Sequence, residues 1–335
     1  MSYVILNASS YETLDGESVL DCLLRHQQAI PHACKTGVCQ SCLVKVVKGA
    51  VAPKAVAGLK PTLQAAGYAL ACQWVPAQED VELLLTDAQT DAAPVVIREL
   101  QRLNPTVMRV ALEFAGHDQR FSSRPGQYLN LINPSGVVRS YSIASDYEQD
   151  GCLELHVADT PQGQFTRWLF DEARPGMQLH ARGPAGDCFY LPESNKDFPM
   201  LLVGTSTGLA PLYGIVRDAL RQGHRGPITL LHGGSSAGRL YYINELQALS
   251  VKYPGFTYQP LVLNNDGKDP RICQGDITQA ALQQLDPATL AHQRVYLCGA
   301  PEFVQSLRKQ VFLKGVRSSH IHCDAFVTRK VEVAA

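Results

Sequence analysis

Cys34, Cys39, Cys42 and Cys72 are spaced C-x4-C-x2-C with a fourth cysteine well downstream, the plant-type ligand arrangement for a 2Fe-2S cluster. Three thiolates on one short loop, closed by a fourth from elsewhere, can surround two irons bridged by sulfides. Gly37, without a Cβ, lets the loop curl tightly and aim N–H groups at the sulfurs. Such a centre moves single electrons. A disulfide framework is disfavoured, because no signal peptide opens the chain and its length needs no staples. Structural zinc usually takes two C-x2-C knuckles, and one is present. Four unrelated thiols leave the loop spacing unexplained.

The bulk of the chain agrees with this chemistry. Its 335 residues exceed one ordinary core, so two or three domains are expected. Hydrophobic residues make up 45% and charged residues 18%, and the net charge of −1 gives no general attraction to nucleic acid. No apolar run reaches membrane-spanning length and Met1–Tyr11 has no signal core, so no membrane association is expected. The other six cysteines (Cys22, Cys152, Cys188, Cys273, Cys298, Cys323) are scattered; ten thiols without export fit the cytoplasm. No acid occurs between Cys22 and Gln78, while Arg25, Lys35, Lys45, Lys48, Lys54 and Lys60 lie inside. That basic face either docks an acidic redox partner or is an ordinary solvated surface.

Three segments must position the chemistry. Residues 1–86 read as strand Tyr3–Leu6, amphipathic helix Ser18–Gln27, the cysteine loop, strand Leu43–Val47 and strand Val81–Leu85, the order of a small β-grasp ferredoxin domain. Residues 87–94 are polar and read as a linker. Residues 95–194 carry short β-like runs (Val95–Leu100, Val107–Leu112, Gln127–Ile132, Ser140–Ala144, Cys152–Val157, Met177–Ala181) and one helix, Phe165–Ala173, which implies an antiparallel barrel. Residues 195–335 alternate strand and helix from Met200–Val203 and Pro211–Arg221 to Ser319–Cys323, the rhythm of a doubly wound parallel sheet.

Further motifs lie in the last two segments. A flavin needs a cation for its pyrophosphate, a flat partner for its ring and a hydrogen-bonding group near N5, and Arg139, Tyr141 and Ser142 offer these in order. An edge strand with one exposed arginine would give the same three residues. Gly163-Gln164-Phe165-Thr166 opens the only helix of its segment, an anion site or an ordinary capped turn. Gly204-Thr205-Ser206-Thr207-Gly208-Leu209-Ala210-Pro211 follows a strand and opens a helix, where backbone can approach a pyrophosphate. It is neither G-x-G-x-x-G nor a P-loop. Cys298-Gly299-Ala300-Pro301 ends a later strand at the same sheet edge.

In this order the motifs resemble the NAD(P)H-dependent iron–sulfur flavoprotein reductases of bacterial ring-hydroxylating dioxygenases and multicomponent monooxygenases, within the ferredoxin–NADP reductase superfamily. The resemblance implies ferredoxin, FAD and nicotinamide domains in that order, with a 2Fe-2S cluster, FAD and NADH or NADPH as cofactors. It implies that Cys34, Cys39, Cys42 and Cys72 bind the cluster. It places Arg139, Tyr141, Ser142, His156, Val157, Gly163, Phe165, Thr166 and Phe326 at the flavin. Gly204, Thr205, Thr207, Gly208, Pro211, Gly233, Arg239, Cys298 and Gly299 fall at the dinucleotide. Hydride passes to flavin N5 beside the catalytic residues Ser142 and Cys298, and single electrons leave through the cluster to a partner oxygenase or hydroxylase. A deoxysugar dehydrase as acceptor, a non-enzymatic carrier with a degenerate nucleotide site, and a zinc-stabilised flavin module are the rivals. Gln40 and Ser206 stand where relatives carry glycine, and Arg239 where they carry an acid, so NADH is expected only by family habit. His320, His322 and Cys323 look like a metal tract but are read as strand packing, as are Trp74 and Trp168.

Overall fold

The computed structural model describes residues 2–28, 30, 32, 35–37, 42–77, 79–85, 92–116, 122–160, 162–192, 197–265, 267 and 269–326. Its contacts divide the chain into two compact units, Met1–Thr90 and Asp91–Ala335.

The first unit is a mixed five-stranded sheet. Tyr3–Leu6 pairs in parallel with Val81–Leu85 and antiparallel with Ser9–Glu12, while Leu43–Lys48 runs antiparallel to both Val81–Leu85 and Tyr68–Leu70. Helix Val19–Arg25 starts where Ser18 Oγ accepts the Asp21 N–H at 3.1 Å and buries Val19, Leu20, Cys22 and Leu23. Trp74 is fully enclosed in this core, with its indole N–H on Ala50 O at 3.1 Å. The expected β-grasp is present. Strands Ser9–Glu12 and Tyr68–Leu70 escaped the sequence reading, because the first lies almost wholly exposed and the second is three residues long.

The second unit opens with a six-stranded antiparallel sheet in the order Leu153–Ala158, Val107–Phe114, Ala93–Asn104, Gln178–Ala185, Tyr128–Ile132, Val138–Ser142. Its two edges are joined by the bridge Ile143–Leu155 and by Ala144 N–H on Glu154 O at 2.8 Å, which closes the sheet into the expected barrel. Alternation fills it: Leu129 and Leu131 point inward, with Tyr128, Asn130 and Ile132 half-covered. Helix Gln164–Asp171 covers one end with Phe165, Trp168 and Leu169. Ala93 and Pro94, within the stretch read as linker, already pair with Ala181 and His180; residues 86–91 lie outside the described set.

The rest of this unit is a parallel sheet in the order Cys273–Gln274, Phe256–Val262, Ile228–Gly234, Met200–Thr205, Arg294–Gly299, Ile321–Ala325. Helices Leu209–Arg221, Ile243–Lys252, Ile277–Gln283 and Pro301–Leu313 give two cores, one on each face. Strand Met200–Thr205 is buried through five of its six residues, as a central parallel strand must be. Leu209 begins its helix two residues before Pro211, because a first-turn N–H needs no acceptor and proline costs nothing there. Among the described residues, no helix is long and apolar enough to cross a membrane.

Gly126 fixes the barrel against helix Leu209–Arg221. At φ +95°, a Cβ there would lie 2.1 Å from Cys188 O and 2.8 Å from Ile215 Cδ1. The carbonyl belongs to backbone and cannot yield locally. Gly126→Ala is therefore expected to cost about 3 kcal/mol or more in chemical denaturation; a loss near zero would show that the two layers separate freely.

Candidate functional site: strand ends and barrel edge

In the first unit, Cys42 is buried at the head of strand Leu43–Lys48, and Cys72 is half-buried in the turn Ala71–Gln73. The Ala71 N–H donates to Cys42 O at 3.0 Å and stitches the two ligand segments together. Burial, with the adjoining Cys72 thiol, pushes Cys42 up to about 11. Two sheltered sulfurs in contact, costly to ionise alone, fit a thiolate cluster whose metal displaces their protons. Cys34, Cys39 and Gln40 lie outside the described residues. Gly37 holds the left-handed turn expected of it, φ +84°.

Gln73 was not singled out in the sequence. Its side-chain N–H donates to Lys35 O at 3.0 Å and lies 3.5 Å from Cys72 Sγ, so it ties the cysteine loop to the fourth cysteine. Its only sequence signal is adjacency to Cys72. The basic face is partly neutralised from outside the acid-free stretch: Arg25 pairs with Glu17 and Lys35 with Asp21, both at 2.8 Å. Lys48 and Lys54 stand exposed.

In the second unit, the ends of the parallel strands meet the barrel edge. Register sets Gly204 beside Cys298 and Cys298 beside Asp324. Gly208 lies on the backbone of Cys298, where a Cβ would fall 2.3 Å from its carbonyl oxygen. Cys298 is fully buried, its sulfur 3.8 Å from Cys188 Sγ, and burial holds its thiol well above the usual range. The Phe326 N–H donates to Gly299 O at 2.8 Å, bringing the half-buried Phe326 to the same rim. From the barrel edge, Ser142 Oγ donates to Asp324 Oδ2 at 2.5 Å. Ser142, Thr205, Gly208, Cys298, Gly299 and Phe326, separated by up to 184 positions, thus share one neighbourhood.

Other expected residues take different places. Tyr141 leans its ring on Phe165 at 5.4 Å, and Phe165 is barrel core with 1% exposure, so its side chain packs. Arg139 is exposed and, among the described residues, bonds to its neighbour's carbonyl, Val138 O, at 2.7 Å, which leaves most of its fork able to meet an anion. The Thr166 hydroxyl closes the turn onto Thr160 O and Gly163 O, both at 3.2 Å. Gly163 makes no side-chain cap, so an anion held at this helix start would meet the backbone N–H groups that follow it.

His156 is enclosed, with Glu154 Oε1 2.9 Å from Nε2 and the Tyr241 hydroxyl 3.0 Å from Nδ1. What it and Val157 can offer a flavin is backbone, on a strand edge bridged at Leu155. Burial holds His156 low and neutral. Burial opposes the Glu154 charge, but His156 and Arg109 outweigh it and bring Glu154 down to about 2.

In the nucleotide loop, Thr207 is buried, Thr205 is half-exposed and Pro211 is buried within its helix. Ser206 holds φ +53°, a left-handed conformation that suits glycine better than serine. Gly233 ends its strand packed on Ile277 and Thr205. Arg239 is drawn away to the barrel, its Nη1 donating to Thr106 Oγ1 at 2.6 Å. His322 stacks on Tyr296 at 4.9 Å and His320 Nδ1 lies 2.7 Å from an Arg294 nitrogen, which fits packing rather than metal.

Sequence pattern did not single out Asp324, Cys188 or Glu154. Asp324 could have been noticed as the one acid beside Phe326, while the other two need the fold. Burial raises Asp324 to about 6, although the Ser142 bond pulls the other way. Its folded value lies above the unfolded one, so its contribution to stability is complete below pH 4 and is lost as pH rises through about 6. Asp324→Asn should remove a decline on the order of 3 kcal/mol between those pH values. Denaturation of both proteins at pH 4 and pH 7 measures it, and parallel pH curves would refute it.

Three family descriptions match in succession: a 2Fe-2S iron-sulfur cluster binding domain over residues 5–77, an oxidoreductase FAD-binding domain over 94–190 and an oxidoreductase NAD-binding domain over 202–309. The aromatic O-demethylase reductase subunit of an Amycolatopsis species is 34% identical, over 93% of this chain and 94% of that one. The reductase component of the naphthalene 1,2-dioxygenase system of Pseudomonas putida is 32% identical, over 93% and 94%. The crystal structure of the Amycolatopsis cytochrome P450 reductase GcoB superposes with a TM-score of 0.66 at 31% identity, covering 97% of this chain and 99% of that one. With its cluster, flavin and nicotinamide domains in that order, the chain belongs to the NAD(P)H-dependent iron–sulfur flavoprotein reductases, the electron-transfer components of bacterial oxygenase systems.

Proposed function

We propose that this chain takes electrons from NAD(P)H and delivers them singly to a separate oxygenase or hydroxylase protein. The observation that supports it best is the convergence of Ser142, from the barrel edge, with Cys298, Gly299 and Asp324 at the parallel-strand ends. When bound, FAD would supply hydride acceptance with one-electron release, and the cluster would supply single-electron transfer.

The chain's own groups bind and orient. Cys34, Cys39, Cys42 and Cys72 hold the cluster, and Gln73 directs an N–H at Cys72 Sγ. Arg139, the backbone of His156 and Val157, and the N–H groups behind Gly163 hold the flavin, with the Tyr141 ring as its flat partner. Thr205, Thr207 and Gly208 cradle the dinucleotide pyrophosphate at the start of helix Leu209–Arg221. Ser142 presents its hydroxyl to the reacting ring, oriented by donating to Asp324 Oδ2 at 2.5 Å. Cys298 and Phe326 bound the place where the nicotinamide lies.

The purified protein is expected to reduce ferricyanide with NADH or NADPH. Cys42→Ser or Cys72→Ser should keep that activity and lower cytochrome c reduction by roughly tenfold or more, because the small ferricyanide ion can take electrons directly from the flavin whereas a protein acceptor takes them through the cluster. Absence of ferricyanide reduction with both coenzymes would favour a non-enzymatic carrier. The exposed Lys48 and Lys54 form the docking face in this reading. Delivery to the true acceptor should then weaken as salt rises past about 0.15 M; salt-independent delivery would place the contact elsewhere.

A further inference from the structure

Four consecutive residues of the nucleotide-binding half, Arg239–Tyr242, reach the barrel at three separate points. Arg239 Nη1 donates to Thr106 Oγ1 at 2.6 Å, and Asn104 Nδ2 returns a bond to Arg239 O at 2.8 Å. The Tyr241 hydroxyl is hydrogen-bonded with His156 Nδ1 at 3.0 Å, and the Tyr242 hydroxyl donates to Glu154 Oε1 at 3.1 Å. Leu240 between them is 6% exposed. Glu154 is itself 6% exposed and fixed by Arg109 Nε at 2.8 Å, so the anchor cannot relax into water. Tyr242 is held at φ +59°, in a region costly for a bulky side chain, with its ring 4.9 Å from Tyr213 and 5.2 Å from His156. The segment follows directly from Gly233-Gly234, where strand Ile228–Gly234 ends beside the nucleotide loop.

We infer that Arg239–Tyr242 is a tether of positioning residues that sets the second strand-end loop of the nucleotide half against the flavin barrel, and that the Arg239 guanidinium serves this tether rather than a coenzyme 2′-phosphate. The inference rests on the proposed hydride transfer for its consequence, because reacting atoms must be placed within about 3–3.5 Å and errors near 1 Å cost on the order of a hundredfold. The tether touches neither reactant. It acts through the relative placement of the two halves.

The test uses the full-length protein and the variants Tyr242→Phe, Glu154→Gln and Arg239→Met. Amide hydrogen exchange should quicken over residues 235–246 in Tyr242→Phe and Glu154→Gln while strand Met200–Thr205 stays protected. Unchanged exchange in both overturns the tether, whatever the activity. In ferricyanide reduction, Tyr242→Phe should lower kcat by roughly tenfold with KM within about twofold. Arg239→Met should lower turnover with NADH and NADPH by one common factor. A loss confined to NADPH overturns the role given to Arg239, and full kcat in Tyr242→Phe with normal flavin content overturns the positioning role. A wild-type protein inert with both coenzymes counts against the proposed function alone, since the exchange measurement still decides the tether.

Discussion

A carboxylate kept ionised out of water dictates the geometry of the larger unit. Glu154 can stay charged at 6% exposure only if donors surround it. They come from both halves: Arg109 and His156 from the barrel, Tyr242 from the nucleotide-binding part. Removing any one of them leaves a buried charge short of a partner, so the halves are held in register by a penalty for separating as much as by attraction. The apolar contacts around helix Leu209–Arg221 then pack against a placement already fixed.

Features that depend on local spacing were legible in the sequence, and those that depend on convergence were not. The C-x4-C-x2-C loop, the change from closely spaced strands to strand–helix alternation near Met200, and the loop Gly204–Gly208 declare themselves by residue type at short range. The barrel closure at Ile143–Leu155 and the pairing of Gln178–Ala185 with Tyr128–Ile132 carry no such signal, because pairing partners are far apart in the chain. Phe165 illustrates the limit inside a motif. It was expected at the flavin because its neighbours were, yet a large apolar side chain on the inner face of a short helix goes to the core first. Arg239 shows the converse: its sequence position left the coenzyme open, and its bond to a threonine 133 residues away in the barrel could be seen only in the fold.

The departures from the family pattern are also unequal in physical weight. Ser206 takes the left-handed backbone that glycine would take without strain, at a cost of about 1 kcal/mol, so a serine can hold the loop shape expected of glycine there. No such exchange is open to Gly208, whose missing Cβ is occupied by the Cys298 carbonyl. The first position tolerates a side chain because strain is spread over one residue's own dihedrals. The second does not, because it would push the turn Ser206–Gly208 off the backbone of strand Arg294–Gly299.

Cys188 and Cys298 face each other with exposures of 2% and 0%, while Cys273 and Cys323 are only half-covered. Alkylating reagents added to the native protein therefore meet the sulfurs on the sheet's flank and last strand before the pair beside the reaction centre. A dye or spin probe attached at Cys273, on the edge strand Cys273–Gln274, stays clear of Asp324, whereas Cys323 adjoins that carboxylate, so Cys273 is the handle for following the molecule's motions.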